Sequence, residues 1–142
     1  MPVRTSEAIW QGNLRKGQGT LHLGSGAFEG PYSFASRFED GAGTNPEELI
    51  GAAHAGCFSQ AFALMLDEAG YTPTQIHTIA RVRLEKVGED FKITTIELET
   101  EAKVSGIDVQ TFNEKAEAAK KGCPVSQALA GTEIKLKTKL LN

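Results

Sequence analysis

Cysteine is scarce in this chain. There are two, with no C-x-x-C motif and no close Cys/His cluster, which argues against a structural zinc site. A basic tract is missing as well. With 15 Lys and Arg against 18 Asp and Glu the formal charge is -3, so nucleic acid and anionic membranes are not expected partners. The opening residues M-P-V-R-T-S-E-A-I-W lack the apolar stretch of a signal peptide. The expectation is a cytoplasmic protein, whose thiols stay reduced unless they have redox or metal chemistry to perform. No internal repeat or low-complexity tract interrupts the chain. At 142 residues, 40% hydrophobic and 23% charged, it reads as a single soluble domain over 1–142 with room for a real core.

Long apolar runs are absent with one exception, T-N-P-E-E-L-I-G-A-A-H-A-G-C-F-S-Q-A-F-A-L-M-L-D-E-A-G, residues 44–70. Its start carries helix-initiating chemistry: Asn45 as cap, Pro46 in the first turn, and Glu47 and Glu48 at the positive end of the helix dipole. Gly70 can take the left-handed conformation that ends a helix. Between Leu49 and Leu66 only His54, Ser59 and Gln60 are polar, so this helix is apolar on nearly every side and expected to be buried. Its length would suit a membrane span, but those polar residues and the small Gly51, Ala52 and Gly56 make it a poor one.

The rest of the chain arranges itself around that helix. Residues 7–14 and 18–23 read as strands separated by a Lys16-Gly17 turn. Residues 31–38 alternate, with Tyr32, Phe34 and Phe38 opposite Ser33, Ala35 and Arg37, and read as a third strand of an antiparallel N-terminal sheet. A long hairpin follows the helix. Pairing Val82 with Leu98 and Leu84 with Ile96 gathers the apolar residues, and sets Arg83 against Glu97 and Arg81 against Glu99 on the other face. Asp108 caps a second helix that carries Val109, Phe112, Ala116 and Ala119 on one side and ends at Gly122. Val125–Ala130 adds a helical turn, and 132–141 closes as a strand. The order is α+β, with antiparallel sheets wrapped around a long central helix. From Pro46 to Ala69 that helix is about 36 Å long at the usual rise. One sheet and one amphipathic helix cover about two sides of it, so a two-fold homodimer is the simplest way to cover the rest.

Cys57 lies in the middle of the central helix and Cys123 just before Pro124. A cysteine on an apolar helix is ordinarily a small buried hydrophobe. Chemistry would need a thiolate, and Cys57 is too far from the helix N-terminus for the dipole to supply one. A cation would have to come from elsewhere, with arginine best suited. Cys123, at the start of a helical turn, is moderately favoured as a thiolate. His54 precedes Cys57 by one helical turn, which leaves a thiol–imidazole pair open.

The run N-P-E-E-L-I-G-A-A-H-A-G-C-F-S, followed far downstream by G-C-P-V-S and preceded by F-A-S-R-F-E-D, resembles the OsmC/Ohr family, and within it the osmotically inducible protein C branch. The resemblance covers essentially the whole chain, and the two cysteine motifs are specific. It implies an α+β fold in intertwined homodimers with active sites at the subunit interface. It also implies a peroxidase that reduces organic hydroperoxides and, less well, hydrogen peroxide, with no cofactor and no metal. By position, Cys57 would be the peroxidatic thiolate and Cys123 the resolving thiol. Arg37 would be the activating cation and Glu47 the carboxylate that orients it. The reductant would be a dithiol such as a lipoyl protein or a thioredoxin-like protein. The organic-hydroperoxide-resistance branch usually carries Tyr where this chain has His54, and its activating arginine earlier in the chain.

Two other functions use the same residues. A non-enzymatic redox sensor or stress-related binding protein could use the cysteine pair as a switch, but the chain has no segment spare for an output module. A cysteine hydrolase using His54 lacks a residue to orient that histidine.

Overall fold

The computed structural model describes residues 2–142. It divides into two compact units, one ending at Leu49 and one beginning at Ile50, described in turn.

In the first unit, β1 (Ser6–Gln11), β2 (Gln18–Leu23) and β3 (Glu29–Tyr32) form an antiparallel sheet in that order. The first strand is shorter than 7–14. Gln11 is its last residue, and the Lys16 and Gly17 amides donate to the Asn13 side chain and carbonyl, each at 2.8 Å, to close the turn. Trp10 and Tyr32, whose ring centroids are 5.3 Å apart, both flank Gly19, where a Cβ would collide with both rings.

The strand expected over 31–38 is a correction. It stops at Tyr32, and α1 (Phe34–Phe38) takes over. Ser33 is the reason. Its Oγ accepts from the Ser36 amide at 3.1 Å while the Ser36 Oγ accepts from the Ser33 amide at 2.8 Å, a reciprocal capping box. Phe34 and Phe38 share a face in a strand, but they also meet at i, i+4 on a helix, here with centroids 4.9 Å apart. The Ser36 hydroxyl then donates to the Thr44 carbonyl and the Asn45 amide nitrogen to the Ser36 carbonyl. These bonds tie α1 to the start of the next helix.

That helix, α2 (Pro46–Glu68), begins and ends as its sequence dictates. Asn45 Oδ1 accepts from the Glu48 amide at 2.7 Å. At the other end Gly70 has φ 88°, and the Tyr71 amide reaches back to the Leu66 carbonyl at 2.9 Å, a Schellman closure.

In the second unit the hairpin of β4 (Pro73–Val87) and β5 (Asp90–Val104) is antiparallel. Its register differs from the expected one by two residues: Val82 faces Ile96 and Ala80 faces Leu98. An extra residue at Thr94, between the Arg83–Thr95 and Leu84–Ile93 pairs, shifts the pairing by one, so that nearer the turn Leu84 stands three residues from its expected partner. A two-residue slip keeps every side chain on its face. The expected ion pairs therefore still form, but diagonally, Arg81 to Glu99 at 2.8 Å and Arg83 to Glu97 at 3.4 Å.

After β5, α3 (Val109–Gly122) is capped by Asp108, whose carboxylate accepts from the Thr111 amide at 2.9 Å. The short α4 (Pro124–Ala128) follows, and β6 (Glu133–Leu140) returns beside β5. It runs parallel to β5, which corrects the all-antiparallel expectation. The two helices carry the chain back to the end of the sheet where β5 began, so the next strand must run the same way. Lys135, Lys137 and Lys139 stand opposite Glu97, Glu99 and Glu101 on the outer face.

The inner face of this sheet and α3 receive α2. Phe58, Phe62 and Leu66 pack with Ile96, Leu98, Ala102, Val104, Ile107, Phe112, Ala116 and Ala119. Phe62 sits centrally, 5.8 Å from the Phe58 ring and 5.2 Å, edge-on, from Phe112. Val109 does not join this side of α3; it is exposed. By length and composition α2 could cross a membrane, but its aromatic stripe is instead the centre of a folded core. Burial is one-sided: Ala52, Ala53, Gly56, Gln60 and Leu64 are exposed, Leu64 by 53%.

Candidate active site

Cys57 is on α2 one residue before the core phenylalanine Phe58, and it keeps partial access to solvent. Cys123 occupies the junction between α3 and α4. Its amide completes α3 by donating to the Ala119 carbonyl at 2.9 Å, and its carbonyl starts α4 by accepting from the Gln127 amide at 3.1 Å. Pro124 holds the first position of α4, where a missing N–H costs nothing. The consequence is a rigid elbow that turns the Cys123 side chain, fully buried, onto α2. The two sulfurs are 2.7 Å apart, with both thiols free. That is longer than a disulfide bond of about 2.05 Å, but a small closing movement would join them.

The surroundings of the two thiols differ. Cys57 has its acidity weakened, first by burial and then by the neighbouring Cys123; a hydrogen bond from the Val125 amide opposes this only in part. Cys123 is also opposed by burial, but the neighbouring Cys57 thiol and the polar groups of Val125 and Ser126 at the start of α4 outweigh it, so its pKa falls below the ordinary thiol value. The amides of a helical first turn are a natural thiolate cradle. Among the described residues, the groups that act on Cys57 are Cys123 and Val125, neither of them a cation.

His54, one turn before Cys57, is 0% exposed. Its Nε2 lies 2.7 Å from Ser126 Oγ, while Nδ1 has no partner among the described residues. Burial lowers its pKa, so the imidazole is neutral near pH 7. Ser126 was not singled out from the sequence. Its signal was there in G-C-P-V-S: a cysteine at a helix cap with proline next places the serine three residues on, within reach of the capping atom.

The first unit holds the other expected pair. Arg37, on α1, grips Glu47, on the first turn of α2, through two parallel bonds: Nε to Oε1 and Nη2 to Oε2, both 3.0 Å. Glu47 is 7% exposed, whereas the Arg37 side chain keeps 37% of its surface. The guanidinium carbon also stands 5.4 Å from the centre of the Phe38 ring. A bidentate carboxylate and an aromatic face fix its plane while part of the side chain stays exposed. The structure thus brings Cys57 to Cys123 and Arg37 to Glu47, each pair within its own unit. Among the described residues no group of three or more His, Cys, Asp or Glu could hold a metal ion.

The family model described as OsmC-like protein matches residues 39–139, a span that includes Glu47 and both cysteines. The chain belongs to the OsmC family. It is 54% identical over 127 residues to "Peroxiredoxin OsmC" of Escherichia coli, with 89% of each chain covered. Among solved structures it resembles the organic hydroperoxide resistance protein OhrB of Bacillus subtilis, with TM-score 0.71 and 25% identity over 95% of this chain and 98% of that one. An OsmC-like protein of Mycoplasma pneumoniae superposes with TM-score 0.77 over 99% of both chains; at 16% identity that likeness concerns the fold alone. The α+β fold with its core helix is therefore that of the OsmC family.

Proposed function

We propose that this OsmC-family protein is a cysteine-based peroxidase that reduces organic hydroperoxides and, less well, hydrogen peroxide, with Cys57 as the peroxidatic and Cys123 as the resolving thiol. The observation that carries this reading is the sulfur pair, 2.7 Å apart with one member reachable and the other buried. Only the reachable sulfur can meet a peroxide. The Cys57 thiolate attacks the nearer peroxide oxygen, the O–O bond breaks, and alkoxide leaves to be protonated to an alcohol. The Cys57 sulfenic acid then condenses with Cys123, forming the S–S bond and releasing water. A dithiol, such as a lipoyl or thioredoxin-like protein, restores both thiols by exchange. The names of the Escherichia coli and Bacillus subtilis relatives favour the same chemistry.

Cys57 needs a positive charge that its own surroundings do not supply. Arg37, oriented by Glu47, fits the role: it is permanently charged, planar and partly exposed. It would favour the thiolate and steady the charge that develops on the leaving oxygen. Glu47 precedes Cys57 by ten residues, about 15 Å along a straight helix. Arg37 is therefore assigned to the partner's Cys57 in a homodimer. The exposed stripe of Ala52, Ala53, Gly56 and Leu64 on α2 supports such a partner. The whole chain would be one OsmC-like domain working in the cytoplasm, where dithiol reductants are available.

Steady-state turnover of an alkyl hydroperoxide and of hydrogen peroxide, with a panel of dithiols, tests the reading. Turnover that favours the alkyl substrate and vanishes in Cys57→Ser is expected; full activity in Cys57→Ser refutes it. Mixing Arg37→Ala with Cys57→Ser protomers tests the assignment across the dimer. Trans action puts both lesions in one site and leaves the other whole, so activity returns. No recovery despite demonstrated subunit exchange rules it out.

A further inference from the structure

We propose that His54 and Ser126 are a positioning pair for Cys123: His54 Nε2–H donates to Ser126 Oγ, and the serine's own proton is thereby directed at the Cys123 sulfur. The proposal rests on the peroxidase reading for its purpose, but not for its chemistry.

The geometry selects the direction of the chain of bonds. A neutral imidazole has one N–H, on either Nδ1 or Nε2. With the proton on Nδ1, a fully buried donor would be stranded, because Nδ1 has no partner among the described residues. Nε2 would then draw the Ser126 proton to itself across 2.7 Å, and Cys123 would lose the hydroxyl donor. With the proton on Nε2, the unpaired atom is only a lone pair, and buried lone pairs without partners are commoner than buried N–H groups without them. The hydroxyl is left free to turn toward Cys123, which caps the helix turn that carries Ser126 and meets α2 one turn along from His54, at Cys57. His54 touches neither cysteine in this scheme; it sets the orientation of the group that does.

The pair serves the second chemical step. The Cys123 thiolate gives an electron pair to the Cys57 sulfur, the S–O bond of the sulfenic acid breaks, and oxygen leaves as hydroxide. The proton that Cys123 lost completes the water. Around Cys123 the groups that act on its charge are Cys57 and, across Ser126, His54 from α2, and the Val125 and Ser126 donors from α4. No other charged group acts on it among the described residues.

A Cys57→Ala background isolates Cys123, whose thiolate can be titrated by its ultraviolet absorbance without any peroxide. Ser126→Ala and His54→Leu should each raise its pKa by about one unit, the scale of one hydrogen bond to a charged group. The double variant should do no more than either alone, and His54→Gln, which keeps an N–H donor, should stay near the parent. In protein with both cysteines, stopped-flow should show sulfenic acid forming at the parent rate and disulfide formation altered. A one-unit rise cuts the thiolate about tenfold but makes it about threefold more nucleophilic, so closure should slow about threefold below the Cys123 pKa. Above both pKa values the same variants should close about threefold faster, a crossover that loss of packing does not produce. An unchanged Cys123 pKa in Ser126→Ala overturns the proposal. A shift there with none in His54→Leu removes His54 from it. A parent protein without peroxidase turnover would instead defeat the function, while the titration still decides the pair.

Discussion

Acid should weaken this fold through one histidine. His54 is fully buried, has one nitrogen on Ser126 and the other without a partner among the described residues, and holds its pKa below 6.5 because burial disfavours the imidazolium. In the unfolded chain the same ring titrates near its ordinary value of about 6.5. As pH falls below that value the unfolded state takes up a proton that the folded state refuses, so stability is present above about 6.5 and is lost below it, until the folded pKa is reached. One unit below the unfolded pKa the loss is at most about 1.4 kcal/mol, and one unit above it the loss is about 0.1 kcal/mol or less. Urea unfolding at pH 7.5 and 5.5, at fixed protein concentration, measures the difference. His54→Gln is the reference: it removes the titrating ring and leaves His22 and His77, which sit on the surface beside Glu7 and Glu101 and cancel in the subtraction. The parent should lose more than His54→Gln between the two pH values, by at most about 1.4 kcal/mol. Equal losses would refute the reasoning, because the buried ring would then be protonated as easily folded as unfolded.

Three further outcomes are expected. Cys123→Ser should consume about one equivalent of peroxide and stop as a Cys57 sulfenic acid, trapped by a sulfenate reagent and detected by mass; continued turnover with a dithiol would show that Cys123 is not needed for resolution. Phe62→Ala, between the Phe58 and Phe112 rings, should cost about 3–5 kcal/mol in denaturant unfolding, whereas a loss under about 1 kcal/mol would mean that the core is not organised on this ring. Gly56→Leu meets no atom within 4 Å of the new Cβ, so the chain should fold, but the proposed dimer should dissociate at concentrations where the parent sediments as a dimer. Unchanged sedimentation would place the interface elsewhere.

Much of the fold was legible because its signals are local. Asn45, Pro46 and Gly70 carry the ends of α2 by themselves, and Asp108 carries the start of α3. The reading failed where two structures satisfy one pattern. F-A-S-R-F alternates like a strand and repeats like a helical turn, and a two-serine capping box decides for the helix. The hairpin charges could not fix its register, since Arg81 reaches Glu99 as well diagonally as directly. The bulge at Thr94 has no compositional mark at all. The direction of β6 could not be read from its alternation, which is the same for parallel and antiparallel neighbours. The pairings of Cys57 with Cys123 and of Arg37 with Glu47 were legible through family motifs, while the contact of Ser126 with His54 joins residues 72 apart and has no local signal.

In the proposed peroxidase the two thiols divide the chemistry by what each already possesses. Cys123 has its acidity raised by the first turn of α4 and, in the proposed pair, by a Ser126 hydroxyl that His54 orients, but it is fully buried. Cys57 has the route, but burial and a neighbouring thiol hold its proton in place. A reachable sulfur that stays protonated is safe from indiscriminate oxidation until a cation is brought to it. If that cation is the partner's Arg37, peroxidase activity should appear only as protomers pair. Specific activity should then fall with dilution along the same curve as the dimer fraction, and activity that stays constant through full dissociation would mean that Cys57 is activated within its own chain.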